Sequence, residues 1–331
     1  MEGGVEVRKI ARLATAVLRY RMTGRPFPIA VAWMITGRCN RDCRYCDATW
    51  MRGLEELDGR AAIALVDQMA DAGVRLVSIT GGEPLVREDL GAIVRHIHDR
   101  GMVCKVNSNG HLLESRLGDL EAVDLLQLSL DGPGEDQDEI RGPGSFRAAV
   151  RAAELARRRG IPFHFVGVLT RRNVGRLEEV LDQAAALGGR ISFQPMNRVA
   201  DRPEAEEFAP SRGELLEGLQ RLRRIREAGG SRGRVLKNTL GELDHYASRC
   251  RDGPGRVECA PVMATVMPDG RLTVCEQARN PRWEDVRVSG FQESFARMGP
   301  VSCDGCVCVG TLRLTRVCRL DPAVIWETLR D

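Results

Sequence analysis

Ile29-Ala30-Val31-Ala32-Trp33-Met34-Ile35 runs directly into Thr36-Gly37-Arg38-Cys39-Asn40-Arg41-Asp42-Cys43-Arg44-Tyr45-Cys46, an apolar stretch followed by three cysteines spaced C-x3-C-x2-C. The apolar stretch reads as a buried strand and the polar one as the loop leaving it. Three thiolates this close can bind three irons of a cubic [4Fe–4S] cluster and leave the fourth without a protein ligand. An open coordination site on a reducible cluster is where chemistry can happen. A zinc knuckle is the alternative, but it prefers C-x2-C pairs with a distant second pair, and no fourth ligand stands nearby. A chance cluster of buried thiols is the remaining one.

Outward from this loop, short β-rich runs alternate with longer amphipathic ones. Val74–Thr80, Met102–Val106, Leu125–Leu130, Phe163–Leu169 and Arg190–Gln194 read as further strands. Asp58–Ala72, Glu88–Arg100, Ser145–Arg159 and Asn173–Leu187 carry apolar positions at helical spacing, and Leu112–Leu120 is a shorter helical candidate. Crossovers of this kind require a parallel sheet and the α/β class. The pattern admits either a partial (β/α)6 TIM-like barrel or an open doubly wound sheet.

Polar motifs recur at one place in each unit. The cysteine loop follows the first strand, Gly81-Gly82-Glu83-Pro84 the second, Asn107-Ser108-Asn109-Gly110 the third and Ser129-Leu130-Asp131-Gly132 the fourth. All lie at C-terminal strand ends, the edge where parallel barrels keep their active sites. The paired glycines let the backbone approach a ligand closely, and Glu83 adds negative charge.

Together these motifs resemble those of the radical S-adenosylmethionine (SAM) enzymes, over Ile29 to about Met196. The resemblance implies that Cys39, Cys43 and Cys46 hold a [4Fe–4S] cluster and that SAM chelates its open iron. It implies reductive cleavage of SAM to methionine and a 5′-deoxyadenosyl radical, which takes a hydrogen atom from the substrate. Tyr45 would lie beside the adenine, and Gly81, Gly82, Glu83 and Pro84 around the SAM amino group. Ser129 and Asp131 would be further SAM contacts, Asn107 and Asn109 partners of the ribose or carboxylate, and Arg141 a partner of the carboxylate. The resemblance also favours the partial barrel. Arg141 has an alternative in an ordinary ion pair with Asp138. Gln194, closing the sixth strand, joins this rim if the strand count holds. His111 is a candidate for acid–base work. His96 and His98 sit two apart on a helix, cannot face one ligand, and read as surface or interface residues.

Seven of the eleven cysteines fall between positions 250 and 318. Cys259 and Cys275 flank the turn sequence Pro268-Asp269-Gly270, so a hairpin would bring them together, and Cys303-x2-Cys306 supplies a second pair. This spacing resembles the Twitch and SPASM extensions of the same superfamily, which implies an auxiliary [4Fe–4S] cluster on Cys259, Cys275, Cys303 and Cys306. A four-cysteine zinc ribbon shares that geometry. The chain departs from a full SPASM pattern at Cys308 and Cys318, which with Cys250 are spare thiols. Cys308 and Cys318 are candidates for a second auxiliary cluster. Cys104, inside the third strand, reads as a small buried hydrophobe.

The 331 residues carry 49 basic and 46 acidic side chains, net +3, which implies neither a nucleic-acid partner nor an acidic tail. No apolar run reaches membrane-spanning length, and the N-terminus lacks a secretory apolar region. The odd cysteine count, bunched as metal sites are, points to a reducing cytoplasmic setting. Val5–Arg21 reads as a basic amphipathic helix with Ile10, Leu13, Ala14, Val17 and Leu18 on one face. It either contacts a membrane or lipid-like substrate or packs its stripe on the domain. A later helix buries Leu215, Leu219, Leu222 and Ile225.

The expected organisation is an N-terminal amphipathic helix (1–28), a radical SAM core with its following helix (29–228), a linker helix (229–249) and a small cysteine-rich auxiliary-cluster domain (250–331). The expected reaction is hydrogen abstraction from a peptide or small natural product, giving net oxidation assisted by the auxiliary cluster. A flavodoxin or ferredoxin would supply electrons. A redox-neutral epimerase with Cys250 as hydrogen donor is the alternative. A non-enzymatic iron–sulfur or zinc scaffold is the third, and it would need none of the rim motifs.

Overall fold

The computed structural model describes residues 7–46, 48–197, 203–252, 257–258, 262–275, 282–299, 302–303 and 308–329. Helix α1 (Val7–Thr23) precedes six strands that pair in parallel in chain order: β1 (Ala30–Thr36), β2 (Leu76–Gly81), β3 (Val103–Ser108), β4 (Leu125–Ser129), β5 (Phe163–Leu169) and β6 (Ile191–Pro195). Helices α2 (Gly59–Ala72), α3 (Leu90–Asp99), α4 (Glu135–Arg141), α5 (Ser145–Arg159) and α6 (Leu177–Ala186) make the crossovers that parallel strands need. Helix α2 shows why its ends fall where they do. Asp58 accepts from Ala61 N at 2.8 Å to cap the start, and Gly73, at φ +103°, turns the chain out of the end. The third crossover differs from expectation. Leu112–Leu120 forms turns and a short 3-10 segment at Leu117–Leu120, because so short a run, broken by Gly118, cannot offset helix nucleation.

Alternation along the strands places the core outside the sheet. The outward residues Ile79, Val106, Leu126, Leu128 and Phe165 are fully buried against the helices. The inward residues Ser78, Lys105, Asn107, Gln127, Ser129 and Gln194 keep accessible surface. The interior of the partial barrel is therefore polar and reachable by small molecules.

After β6 come α7 (Arg212–Ala228), α8 (Gly230–Val235), α9 (Leu240–Asp252), β7 (Val257–Glu258), β8 (Met263–Val266), β9 (Arg271–Thr273), β10 (Glu284–Asp285), α10 (Val286–Met298, interrupted at Gly290), β11 (Ser302–Cys303), α11 (Val309–Cys318) and α12 (Pro322–Leu329). Helix α7 starts in a capping box of Ser211 and Glu214 and buries Leu219 and Leu222, with Leu215 and Ile225 packed beside them. Strands β8 and β9 form the hairpin expected around Pro268-Asp269-Gly270, with Gly270 at φ +82°. The hairpin also joins the main sheet, since β8 runs parallel to β1 from Ala30↔Met263 to Trp33↔Val266. The order is β10-β9-β8-β1-β2-β3-β4-β5-β6, and β7 pairs separately with β11.

Helix α1 packs on the protein with the expected stripe rotated: Leu13 and Val17 face the protein as expected, and Ala14 and Leu18 do not. Ala14 and Leu18 are exposed, whereas Ala16 and Val17 are buried, with Leu13 and Tyr20 alongside, against Ile29, Val262 and Cys318. A buried charge pair sets this rotation: Lys9 reaches Asp124 at 2.8 Å and lies 2.9 Å from His98 Nδ1. His96 pairs at the surface with Asp67 at 2.9 Å. Among the described residues no helix is long and apolar enough to cross a membrane.

Candidate active site

At the C-terminal end of β1 the chain enters the cysteine loop, and at the end of β2 it enters the Gly-Gly-Glu turn. Two backbone bonds stitch them together, Gly82 N to Thr36 O at 2.8 Å and Glu83 N to Arg38 O at 2.9 Å. Only glycine fits this seam. A Cβ at Gly82 would lie 2.1 Å from Arg38 O, and one at Gly81, where φ is +124°, would lie 2.4 Å from Thr36 O. Glu83 is 1% exposed. Its Oε1 accepts from Leu85 N (3.2 Å) and Ser108 Oγ (2.9 Å), and its Oε2 accepts from Asn109 N (2.8 Å). Burial pushes the carboxyl up to about 7, against the downward pull of those donors.

A cavity of about 240 Å³ opens at this rim. Cys39, Cys43, Tyr45 and Cys46 form one side of it, and Gly81, Gly82 and Glu83 another. Asn107, Asn109, Ser129, Arg141 and Gln194 complete the wall. Burial raises the thiols of Cys39 and Cys43, so a cationic metal is what would hold them as thiolates at neutral pH. Among the described residues no three His, Cys, Asp or Glu donors converge as one metal ion requires. Three thiols lining one cavity suit a cluster that three thiolates can hold.

Beneath the cysteines lies a buried brace. Asp131, 0% exposed, accepts from Tyr45 OH at 2.7 Å, Arg141 Nε at 2.6 Å and Val168 N at 2.8 Å. Arg141 also donates to Tyr45 OH. The alternative partner of Arg141 is corrected here, and Asp131 is placed behind the cavity wall. Asp131 does not line the cavity, because its oxygens already hold Tyr45, Arg141 and β5. Arg141 does not pair with Asp138, whose carboxylate caps α5 by accepting from Gly144 N (2.8 Å) and Phe146 N (2.7 Å).

Other candidates sit away from the cavity. Pro84 starts a 3-10 turn behind the wall. His111 lies with its Nε2 3.4 Å from Ser145 Oγ, off the lining, and burial lowers its pKa. Cys250 is buried in the core on α9 and does not reach the lining either.

Of the C-terminal cysteines, Cys259 and Cys306 lie outside the described residues. The pairing of β7 with β11 sets Ser302 opposite Glu258, the residue before Cys259, and Cys303 opposite Val257. Cys275 follows β9 and is half-buried. Cys308 is exposed at the start of α11 and Cys318 is buried at its end, roughly 15 Å along the helix. Burial pushes the Cys318 thiol up to about 11.

The lining also includes Gln127, Val166, Val168, Arg41 and Arg52, which sequence reasoning did not single out. For Gln127 a signal existed: it stands two residues before Ser129 on one strand, hence on the same inward face.

A family model described as the Radical SAM superfamily matches residues 33–184. A PqqA peptide cyclase of Ruegeria pomeroyi is 32% identical over 266 residues, covering 76% of this chain and 69% of that protein. A mycofactocin maturase MftC of Mycobacterium ulcerans is 34% identical over 188 residues, 54% of this chain and 51% of that protein. An AdoMet-dependent heme synthase of Oleidesulfovibrio alaskensis is 31% identical over 172 residues, 50% and 44% respectively. The chain thus spans about half the length of the latter two relatives. Among solved structures, Streptococcus suis SuiB bound to precursor peptide SuiA has the same fold, with TM-score 0.66 at 16% identity, covering 87% of this chain and 68% of that one. So does anSMEcpe with bound AdoMet and a peptide, with TM-score 0.61 at 18% identity, covering 78% and 76%.

Proposed function

This chain belongs to the radical SAM superfamily, and on that premise we propose that it cleaves SAM reductively and modifies a peptide or related natural product by net oxidation. The observation carrying this reading is that three cysteines share one cavity with the Gly81–Glu83 turn, two loops bonded to each other. When bound on Cys39, Cys43 and Cys46, a [4Fe–4S] cluster with SAM on its open iron supplies the electron and, from SAM, the hydrogen-abstracting radical.

The chain's own residues then have distinct tasks. Glu83 offers negative charge to an ammonium at the glycine seam. Tyr45, pinned by Asp131 and Arg141, offers its ring to an adenine beside the third cysteine. Arg141 brings positive charge to the cavity wall for a carboxylate, and Asn107, Asn109, Ser129 and Gln194 offer hydrogen bonds. The relatives named for a peptide cyclase and a mycofactocin maturase support a peptide substrate. A reducing cytosol and a flavodoxin- or ferredoxin-type donor suit such chemistry.

The hairpin β8–β9 and the β7–β11 pairing support an auxiliary cluster on Cys259, Cys275, Cys303 and Cys306. The separation of Cys308 from Cys318 supports one such cluster rather than two. The second reading, an epimerase using Cys250, has less support because that thiol lies in the core.

One experiment tests both readings. Reconstituted protein, SAM and dithionite are incubated anaerobically in deuterated water with precursor peptides encoded nearby. We expect 5′-deoxyadenosine and a product lighter by two hydrogens. No deoxyadenosine sinks the function, and a product carrying one deuterium but otherwise isobaric with the substrate, lost in Cys250→Ala, replaces oxidation with epimerisation.

A further inference from the structure

Helix α1 is apolar on two opposite sides, and the described residues cover one of them. Ala16 and Val17 are buried against Ile29, Val262 and Cys318, and Lys9 is fixed to Asp124 on the same side. The other side carries Val7, Ala11, Ala14, Leu18 and Met22, at steps of four, three, four and four residues, which line them up along one face. All five are exposed, Val7 by 80%, Leu18 by 53% and Met22 by 86%. The stripe is about 22 Å long.

Positive charge borders it. Helical spacing puts Arg8, Arg12 and Arg19 along one edge and Arg21 along the other. Arg12 Nη1 donates to Gly101 O at 3.5 Å, and the Arg19 guanidinium lies 4.6 Å from the centre of the Phe27 ring. Neither contact neutralises a charge, and among the described residues no carboxylate pairs with any of the four. The 17 residues of α1 include no Asp or Glu; Glu2 and Glu6, ahead of it, lie outside the described residues.

The stripe stands far from the cavity. Lys9 meets Asp124, one residue before β4, and Arg12 meets Gly101, two before β3. Ile29 and Val262, which α1 packs on, immediately precede β1 and β8. The helix thus lies at the N-terminal ends of the strands and the cavity at their C-terminal ends, about 20 Å away along a strand of seven residues. Two occupants fit the stripe badly. A second copy in two-fold contact would cover the apolar residues but set arginine against arginine. A soluble acidic peptide would answer the arginines and leave the apolar residues in water. A bilayer with anionic headgroups answers both, because apolar side chains enter the acyl boundary while arginines stay among the phosphates.

We propose that α1 docks this protein on an anionic phospholipid surface through the Val7–Met22 stripe and its bordering arginines. The docked protein turns its cavity away from the lipid, open to soluble substrate and reductant.

The test is co-sedimentation of the reconstituted full chain with sucrose-loaded vesicles, of phosphatidylcholine alone or with about 30% phosphatidylglycerol. The anionic vesicles should bind about tenfold or more tighter than the neutral ones, and salt at about 0.5 M should weaken that binding. Leu18→Glu with Met22→Glu should reduce it about tenfold or more, and so should Arg8→Gln with Arg19→Gln. Val288→Glu, at an apolar residue of α10 that is also exposed, should leave it unchanged. All variants are checked for an unchanged melting transition. No binding to anionic vesicles, equal binding to both kinds, binding that survives Leu18→Glu with Met22→Glu, or equal loss in Val288→Glu overturns the surface. A lipid-free dimer that Leu18→Glu separates in sedimentation velocity gives the stripe to a second copy instead. A glutamate-rich peptide that binds and is not displaced by anionic vesicles gives it to an acidic peptide. Sedimentation needs neither SAM nor reductant, so its failure and a failure of the proposed reaction are read separately.

Discussion

Cys39, Cys43 and Cys46 are neighbours along the chain, and their support comes from elsewhere: Gly82 and Glu83 at the end of β2, and Asp131 and Arg141 after β4. The C-terminal cysteines are the reverse. They are dispersed in sequence: Cys275 follows β9, which pairs with β8, and Cys303 lies on β11, which pairs with β7. The first set is a local ligand loop bolted to a barrel whose core lies outside the sheet. The second depends on the edge of that sheet, where β8 lies along β1. The two proposed clusters, built this differently, should be separable by mutation.

The strongest break is Cys39→Ala, Cys43→Ala and Cys46→Ala together. Deoxyadenosine should fall to background, while about four of the wild type's roughly eight irons remain, one cubane of two. Iron analysis and absorbance of the anaerobically purified variant check this. A variant without iron would tie the two regions together, and one that is colourless and holds zinc would make the C-terminal region a ribbon. Wild-type iron near twelve would bring Cys308 and Cys318 into a third cluster.

A smaller effect tests the brace beneath the cysteine loop. Asp131→Ala strips Arg141 and Tyr45 of their acceptor at a wholly buried position. Leaving one partner of a buried ion pair uncompensated costs about 3–5 kcal/mol, whereas an exposed pair is worth at most about 1. Denaturant unfolding under anaerobic conditions measures it. A loss below about 1 kcal/mol means that the cysteine loop stands without the brace.

The same contrast governs what sequence could reveal. Strand-and-turn periodicity located every strand of the barrel to within two residues, and the motifs at their ends meet around one cavity because parallel strands put all those ends on one rim. The resemblance, not the period, chose the barrel over an open sheet. Partnerships across the barrel were illegible. Nothing near Arg141 says that it turns to Asp131 and leaves Asp138 to cap a helix. The rotation of α1 was illegible because Lys9, a residue that ordinarily stays in water, is buried against Asp124 far along the chain.

The smallest expected effect concerns Glu83, between the cysteine loop and the cavity. Its carboxyl sits at about 7 in the folded chain, against an ordinary value of 4.5, because enclosure outweighs its three donors. The folded protein therefore binds this proton more tightly than the unfolded chain does. The stability so gained is fully present below about 4.5 and is lost as pH rises toward 7, by about 3 kcal/mol in all. Glu83→Gln has no such titration. The stability difference, wild type minus Glu83→Gln, should decline between pH 4.5 and 7.5 when followed by denaturant unfolding. An ammonium placed against Glu83 favours the ionised form, so S-adenosylhomocysteine should bind wild type with proton release below pH 7, and Glu83→Gln with none. Titration in two buffers of different ionisation enthalpy counts that proton. A flat stability difference and no proton release would mean that the seam between the two loops is wetter than its geometry indicates, and that Glu83 meets the ligand already charged.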